Sequence, residues 1–313
     1  MTNQMHFYIL IIKGELLTYF RLPLNLLVYF RNFIRRLPQI RTMIISVINH
    51  TSGQISDKEL QFAIRAINRQ IREDFEPYWS LGATLRLEGR SGRQPSVQHP
   101  VDMRGDAVIY MWDESDVPNA LGYHDRNFRG IPFGFVFTEL SREIGENWSV
   151  TLSHEALELI ADPEVNLLVM GPHPNPDRRN REVFHWYEMC DAVQAETYVI
   201  DEIEVSNFVL PLYFTGGDEF VGRNDYLGTK HGRGSLRSFG INPGGYVGFY
   251  DPVTGKMDTA TMRGDKEAER RIRIKEKAEG ARRALRYKRY VSKKQRVKLA
   301  RQEDRVLKTS NGQ

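Results

Sequence analysis

The stretch Ser153-His154-Glu155-Ala156-Leu157-Glu158-Leu159-Ile160-Ala161-Asp162-Pro163 decides how this chain is read. Its apolar residues, with Leu152, recur at helical spacing, and Asp162-Pro163 is a stop signal, so residues 150–160 are expected to form a helix. Positions i and i+4 share a helix face, so His154 and Glu158 project together while Glu155 lies one step round. Imidazole plus carboxylate on a rigid element suits a divalent metal, zinc first. Beside such an ion, Glu155 can take a proton from bound water as that water attacks a carbonyl. Asp162 lies near the same face at the helix end. A second cluster, His185-Trp186-Tyr187-Glu188-Met189-Cys190-Asp191, offers Glu188 and Asp191 as further oxygen ligands. With four carboxylates in play, calcium, magnesium or manganese stay open beside zinc.

Working outward, residues 43–48 read as a β-branched strand closed by Asn49, Thr51 and Gly53. Ser56 and Glu59 have capping-box spacing, and Leu60, Ala63, Ile64, Ile67 and Ile71 then recur as the buried stripe of a helix that reaches Phe75 and Pro77. Residues 83–88 and 107–112 read as strands. Residues 131–140 form another extended apolar stretch, and Pro132 near its start suits a sheet edge. After a loop rich in proline (Pro172, Pro174, Pro176), strand-like runs resume at 197–200 and 205–210. Strands and helices in this order imply an α+β domain with a mixed sheet over residues 43–252. Residues 228–245 read as a long surface loop; the glycines there lack phosphate-loop spacing.

The composition bounds the function. The chain has 313 residues, 41% hydrophobic and 27% charged, which is enough to bury a core. A single cysteine excludes a disulfide framework and a four-cysteine zinc module, and fits a reducing, cytoplasmic setting. The net charge of +4 hides an asymmetry: residues 263–308 carry 19 Lys/Arg against 7 Asp/Glu, and residues 1–43 carry 6 against 1. The stretch 263–308 reads as a basic helical or disordered tail, and nucleic acid is its candidate partner through phosphate contacts. Residues 1–42 read as an apolar, basic extension. No run there approaches the ~18 apolar residues of a spanning helix, so membrane contact by this segment is not expected, although its arginine-flanked aromatics keep a surface anchor open.

His154-Glu155-x-x-Glu158 resembles the zincin metallopeptidase helix, whose motif is His-Glu-x-x-His. The element order before it is similar to a zincin too, with residues 131–140 where that fold puts its substrate-aligning edge strand. The wider pattern, running on through Glu188-x-x-Asp191 to Val205-Ser206-Asn207-Phe208-Val209-Leu210-Pro211, is similar to a family of uncharacterised bacterial and phage proteins. The zincin resemblance implies a metal-dependent hydrolase acting on a peptide or protein, with His154 and Glu158 on the metal and Glu155 as general base. Two departures matter: Glu158 stands where zincins have their second histidine, and the third ligand is Glu164 on one zincin pattern, with Met189 as the methionine turn, or Glu188 on another. Three other readings remain: the same fold holding a metal without catalysis, as a binding or regulatory protein; a nucleic-acid-associated protein acting through the basic tail; and an ordinary amphipathic helix with His154 in the core and Glu155 and Glu158 as plain surface charges. Cys190, among acidic neighbours, is a poor nucleophile. His124, beside Asp125, reads as structural.

Overall fold

The computed structural model describes residues 11–12, 15–16, 42–95, 100–114, 121–143, 145–215, 222–232, 234–266 and 268–269. Contacts divide the chain into two units, Met1–Arg41 and Thr42–Gln313. In the first, Ile11–Ile12 pairs antiparallel with Glu15–Leu16. The rest of the apolar extension and nearly all of the basic tail lie outside the described residues. Among the described residues no helix is long and apolar enough to cross a membrane.

The second unit is α+β. Strand β1 (Met43–Asn49) is followed by helix α1 (Asp57–Gln70), whose Ser56 side chain accepts the Glu59 N–H while the Glu59 carboxylate accepts the Ser56 N–H. That reciprocal pair satisfies two of the donors every helix start leaves open. Leu60, Ala63, Ile64 and Ile67 are buried, as their spacing requires. The helical path does not stop before Pro77. A π-turn over Ile71–Phe75 leads into a short helix α2 (Glu76–Trp79), where Pro77 sits in the first turn and its missing N–H costs nothing.

Strands β2 (Ala83–Glu88), β3 (Ala107–Trp112), β4 (Gly122–Arg126) and β5 (Pro132–Phe137) complete the first sheet, in the order β2-β1-β3-β5-β4. All pairs are parallel except β4 with β5. One face (Ile45, Val47, Leu85, Ile109, Met111, Val136) meets the helices in the main core; the other carries an aromatic cluster of Tyr110, Tyr123, Phe133, Phe135 and Phe137. This corrects one expectation. The stretch beginning at Pro132 is not an edge: β5 lies between β3 and β4, every residue of it is buried, and the chain turns helical at Thr138. A continuous apolar run is the mark of a strand covered on both faces. The edge is β4.

Helix α3 (Thr138–Glu143) leads to α4 (Trp148–Ala161), which ends at Asp162. Beyond it, β6 (Leu168–Pro172) and β7 (Glu182–Trp186) join a second, antiparallel sheet, ordered β11-β10-β7-β6 with β10 (Tyr246–Asp251) and β11 (Lys256–Thr261). A hairpin of β8 (Thr197–Ile200) and β9 (Ile203–Ser206) turns through Asp201 and Glu202, both with positive φ, as a two-residue hairpin turn demands. α4 lies between β4 and β5 on one side and β9 on the other.

Candidate metal centre

α4 carries no exposed residue among its fourteen. A helix covered on every side must be apolar or must bring partners for its polar groups. Its seryl hydroxyls reach the neighbouring hairpin: Ser153 Oγ accepts the Ser206 N–H at 2.7 Å and Ser149 Oγ donates to Glu204 O at 2.7 Å, fixing α4 against β9. Its acidic groups meet histidines instead.

On one side, His154 Nε2 stands 3.3 Å from Glu158 Oε1 and 3.3 Å from Asp191 Oδ1. The i, i+4 spacing supplies the first approach, and the short turn Asp191–Val193 after β7 brings in the second. Asp191 Oδ1 is buried and has no hydrogen bond, so it lies within ion-pair distance of the imidazole but outside hydrogen-bond geometry. Glu158 Oε1 also accepts the Cys190 N–H at 3.3 Å.

On the other side stands His124, on the edge strand β4 and fully buried. Its Nδ1 lies 3.0 Å from Glu155 Oε2 and 3.6 Å from Glu158 Oε2, and its Nε2 lies 3.9 Å from Glu188 Oε2. Two glycines make this approach fit. Gly134 is the cross-strand partner of His124, and a Cβ on Gly122 would come within 3.0 Å of both Thr151 Cγ2 (2.7 Å) and Glu155 Cγ (3.0 Å). The described residues therefore hold two triads able to take a divalent ion, His154–Glu158–Asp191 and His124–Glu155–Glu158, with Glu158 common to both.

The electrostatics follow from burial. Removal from water alone would lower His154, but the carboxylates of Glu158 and Asp191, with Glu155 behind them, outweigh it and hold the imidazole well above its ordinary value. Burial pushes the Glu158 carboxyl up, and the Glu188 and Asp191 charges add to that push. The Cys190 thiol is driven up by burial and by Glu158, which leaves it inert, as its acidic neighbours imply.

Of the residues singled out from sequence, the fold brings together His154, Glu155, Glu158 and Asp191, with Glu188 beside His124. Asp162 belongs to neither triad. Its Oδ2 accepts the Leu167 N–H at 2.9 Å and shapes the turn after α4, while its Oδ1 is buried without a hydrogen bond. Glu164, the alternative third ligand, is half exposed and paired with Arg126. His124 is the residue that sequence reasoning set aside. Glu188 and Asp191 also line a cavity with room for about one water molecule, walled by His185, Tyr213 and Phe214. No protein-family model, curated protein or solved structure matches this chain.

Proposed function

We propose that the protein is a metal-dependent hydrolase that cleaves peptide bonds, with His154, Glu158 and Asp191 holding a divalent ion, zinc first, and Glu155 as the general base. The donor spacing carries this reading. Two donors about 2.0–2.2 Å from one tetrahedral ion stand about 3.3–3.6 Å apart, and the two His154 separations are both 3.3 Å. The unbonded Asp191 Oδ1 is the kind of buried oxygen that an ion would satisfy.

A divalent ion bound there supplies Lewis-acid polarisation of a carbonyl and an acidified water. The chain supplies the rest. Glu155, adjacent to His154 on the helix, has its Oε2 3.0 Å from His124 Nδ1, and as a carboxylate it can accept a proton from that water. Burial of the acidic groups keeps competing solvent away and strengthens each charge interaction. A peptide substrate follows from the resemblance of His154-Glu155-x-x-Glu158 to the metallopeptidase helix. A second reading, a metal-binding protein of the same fold without catalysis, is favoured by how little of the centre reaches solvent, His154 being its most open side chain at 13%.

His154→Ala is expected to abolish zinc uptake at this triad. Glu155→Gln should keep that ion and lower hydrolysis of a peptide library by about 10²–10⁴-fold, because an amide cannot accept the proton. Uptake of zinc with no hydrolysis by the parent protein favours the second reading. A parent protein that takes up no divalent ion in equilibrium dialysis refutes both.

A further inference from the structure

We infer that the centre holds two divalent cations rather than one, bridged by the two oxygens of Glu158, with His124 as a ligand of the second. The inference rests on the metal centre proposed above and extends it to a part of the molecule that the zincin-like motif does not contain.

The geometry is two-sided at one carboxylate. Glu158 turns Oε1 toward His154 and Oε2 toward His124. On the second side the separations from His124 Nδ1, 3.0 and 3.6 Å, bracket what a tetrahedral ion requires of neighbouring donors, just as on the first. A carboxylate that binds one ion through each oxygen sets a pair about 3.5–4 Å apart, the spacing at which two ions clamp the attacking and leaving oxygens of one reaction. With Nδ1 on the cation, the other ring nitrogen of His124 lies 3.9 Å from Glu188 Oε2, on the side away from the cation.

Charge favours the pair. Glu155, Glu158, Glu188 and Asp191 are all at least nine-tenths buried and together carry up to four negative charges. Buried carboxylates packed this densely are costly without cations beside them, and divalent ions offset that cost.

The test is stoichiometry on the full-length protein, stripped with chelator and dialysed against Zn²⁺ or Mn²⁺. Two ions per chain are expected, and the Mn²⁺ form should give the spin-coupled spectrum of a bridged pair. His124→Gln and, separately, His154→Gln should each reduce two ions to one and leave an uncoupled Mn²⁺ signal. One ion per chain in the parent protein, unaffected by His124→Gln, overturns the two-ion centre and leaves the single-ion hydrolase standing. No ion at all overturns both. Two uncoupled ions, or two that survive His124→Gln, overturn the bridge through Glu158. The parent measurement decides the count even if a variant fails to fold, and circular dichroism of each variant identifies that case.

Discussion

Helices α1 and α4 have the same length and pack against the same face of the first sheet, yet they solve opposite problems. α1 sorts its residues by solvent: Leu60, Ile64 and Ile67 go in, and Lys58, Arg65 and Arg69 stay out. α4 has no solvent face, so its histidine and glutamates stand inside the protein. A charge on α1 is a solvated charge and says little. A charge on α4 carries a desolvation cost that only a partner of opposite sign offsets. The difference teaches where to look: the clustered donors able to take an ion gather at the helix whose polar residues have no water to face.

The comparison breaks most visibly under paired substitutions. Ile64→Ala on α1 removes a fully buried side chain and should cost about 2–5 kcal/mol of stability, with metal uptake by the folded protein unchanged. Glu158→Gln on α4 should do the reverse. The two oxygens of Glu158 face His154 and His124, so an amide there, which keeps the side chain's volume, should abolish uptake by a protein that still folds. Urea unfolding with and without chelator measures both. If Glu158→Gln folds and still takes up the ion, Glu158 is a structural charge and not a ligand.

Two histidines sharpen the same point. His154 is held up by carboxylates, whereas His185, on β7, is pushed down to about 4, first by burial; its Nε2–H donates to Pro172 O at 2.9 Å, and its Nδ1 is buried without a hydrogen bond. For His185 the unfolded chain takes up its proton near pH 6.5 and the folded protein only near 4. Stability from this group is therefore complete above about pH 6.5 and lost as pH falls toward about 4, a change of about 3 kcal/mol at most. His185→Phe should flatten that limb of the stability–pH curve of the stripped protein. An unchanged limb would show that another group produces it.

A smaller effect probes the contact between α4 and the edge strand. A Cβ at position 122 would meet Phe135 O at 2.8 Å and Thr151 Cγ2 at 2.7 Å, whereas one at position 89 meets nothing within 4 Å. Gly122→Ala should cost about 1–3 kcal/mol by overpacking and weaken metal uptake by shifting Glu155 away from His124. Gly89→Ala should stay within about 0.5 kcal/mol. Equal tolerance at both positions would mean that β4 does not set the spacing of the site.

Legibility from sequence follows the same divide. α1 was readable because its signals are local: a reciprocal cap, a period and a breaker. α4 was readable as a helix, and the i, i+4 rule correctly placed His154 with Glu158. His124 was not readable. It lies on a five-residue strand, Gly-Tyr-His-Asp-Arg, with one large apolar residue, and its identity as a strand comes from pairing with β5. That pairing puts Tyr123 on the aromatic face and His124 on the helix face, a register no local propensity specifies. The signals present were weak: a glycine at 134 to leave room, and a fully apolar β5 that argues for a strand on each side. Strands β6 and β7 were hidden for a related reason, because the Pro- and Asn-rich loop between them dominates the local pattern.

The smallest expected effect lies at the helix starts. Ser56 caps α1 through its side chain, so Ser56→Ala should cost about 1 kcal/mol, seen as a lower urea midpoint with an unchanged slope. Asn147 holds the corresponding position on α4 but makes no capping bond; its Nδ2 donates instead to Glu204 Oε2 at 2.5 Å. That contact is exposed and ties the helix start to β9 rather than closing the helix on itself, so Asn147→Ala should cost less than Ser56→Ala. The order matters more than the size. α1 is stabilised at its own end by its own sequence, whereas α4 is held by what surrounds it, through Ser149, Ser153 and the packing against β4 and β9. If Asn147→Ala proved the more costly of the two, α4 would depend on its own N-terminus after all, and the contrast between a self-specified helix and one held by its surroundings would fail at the point where it is cheapest to test.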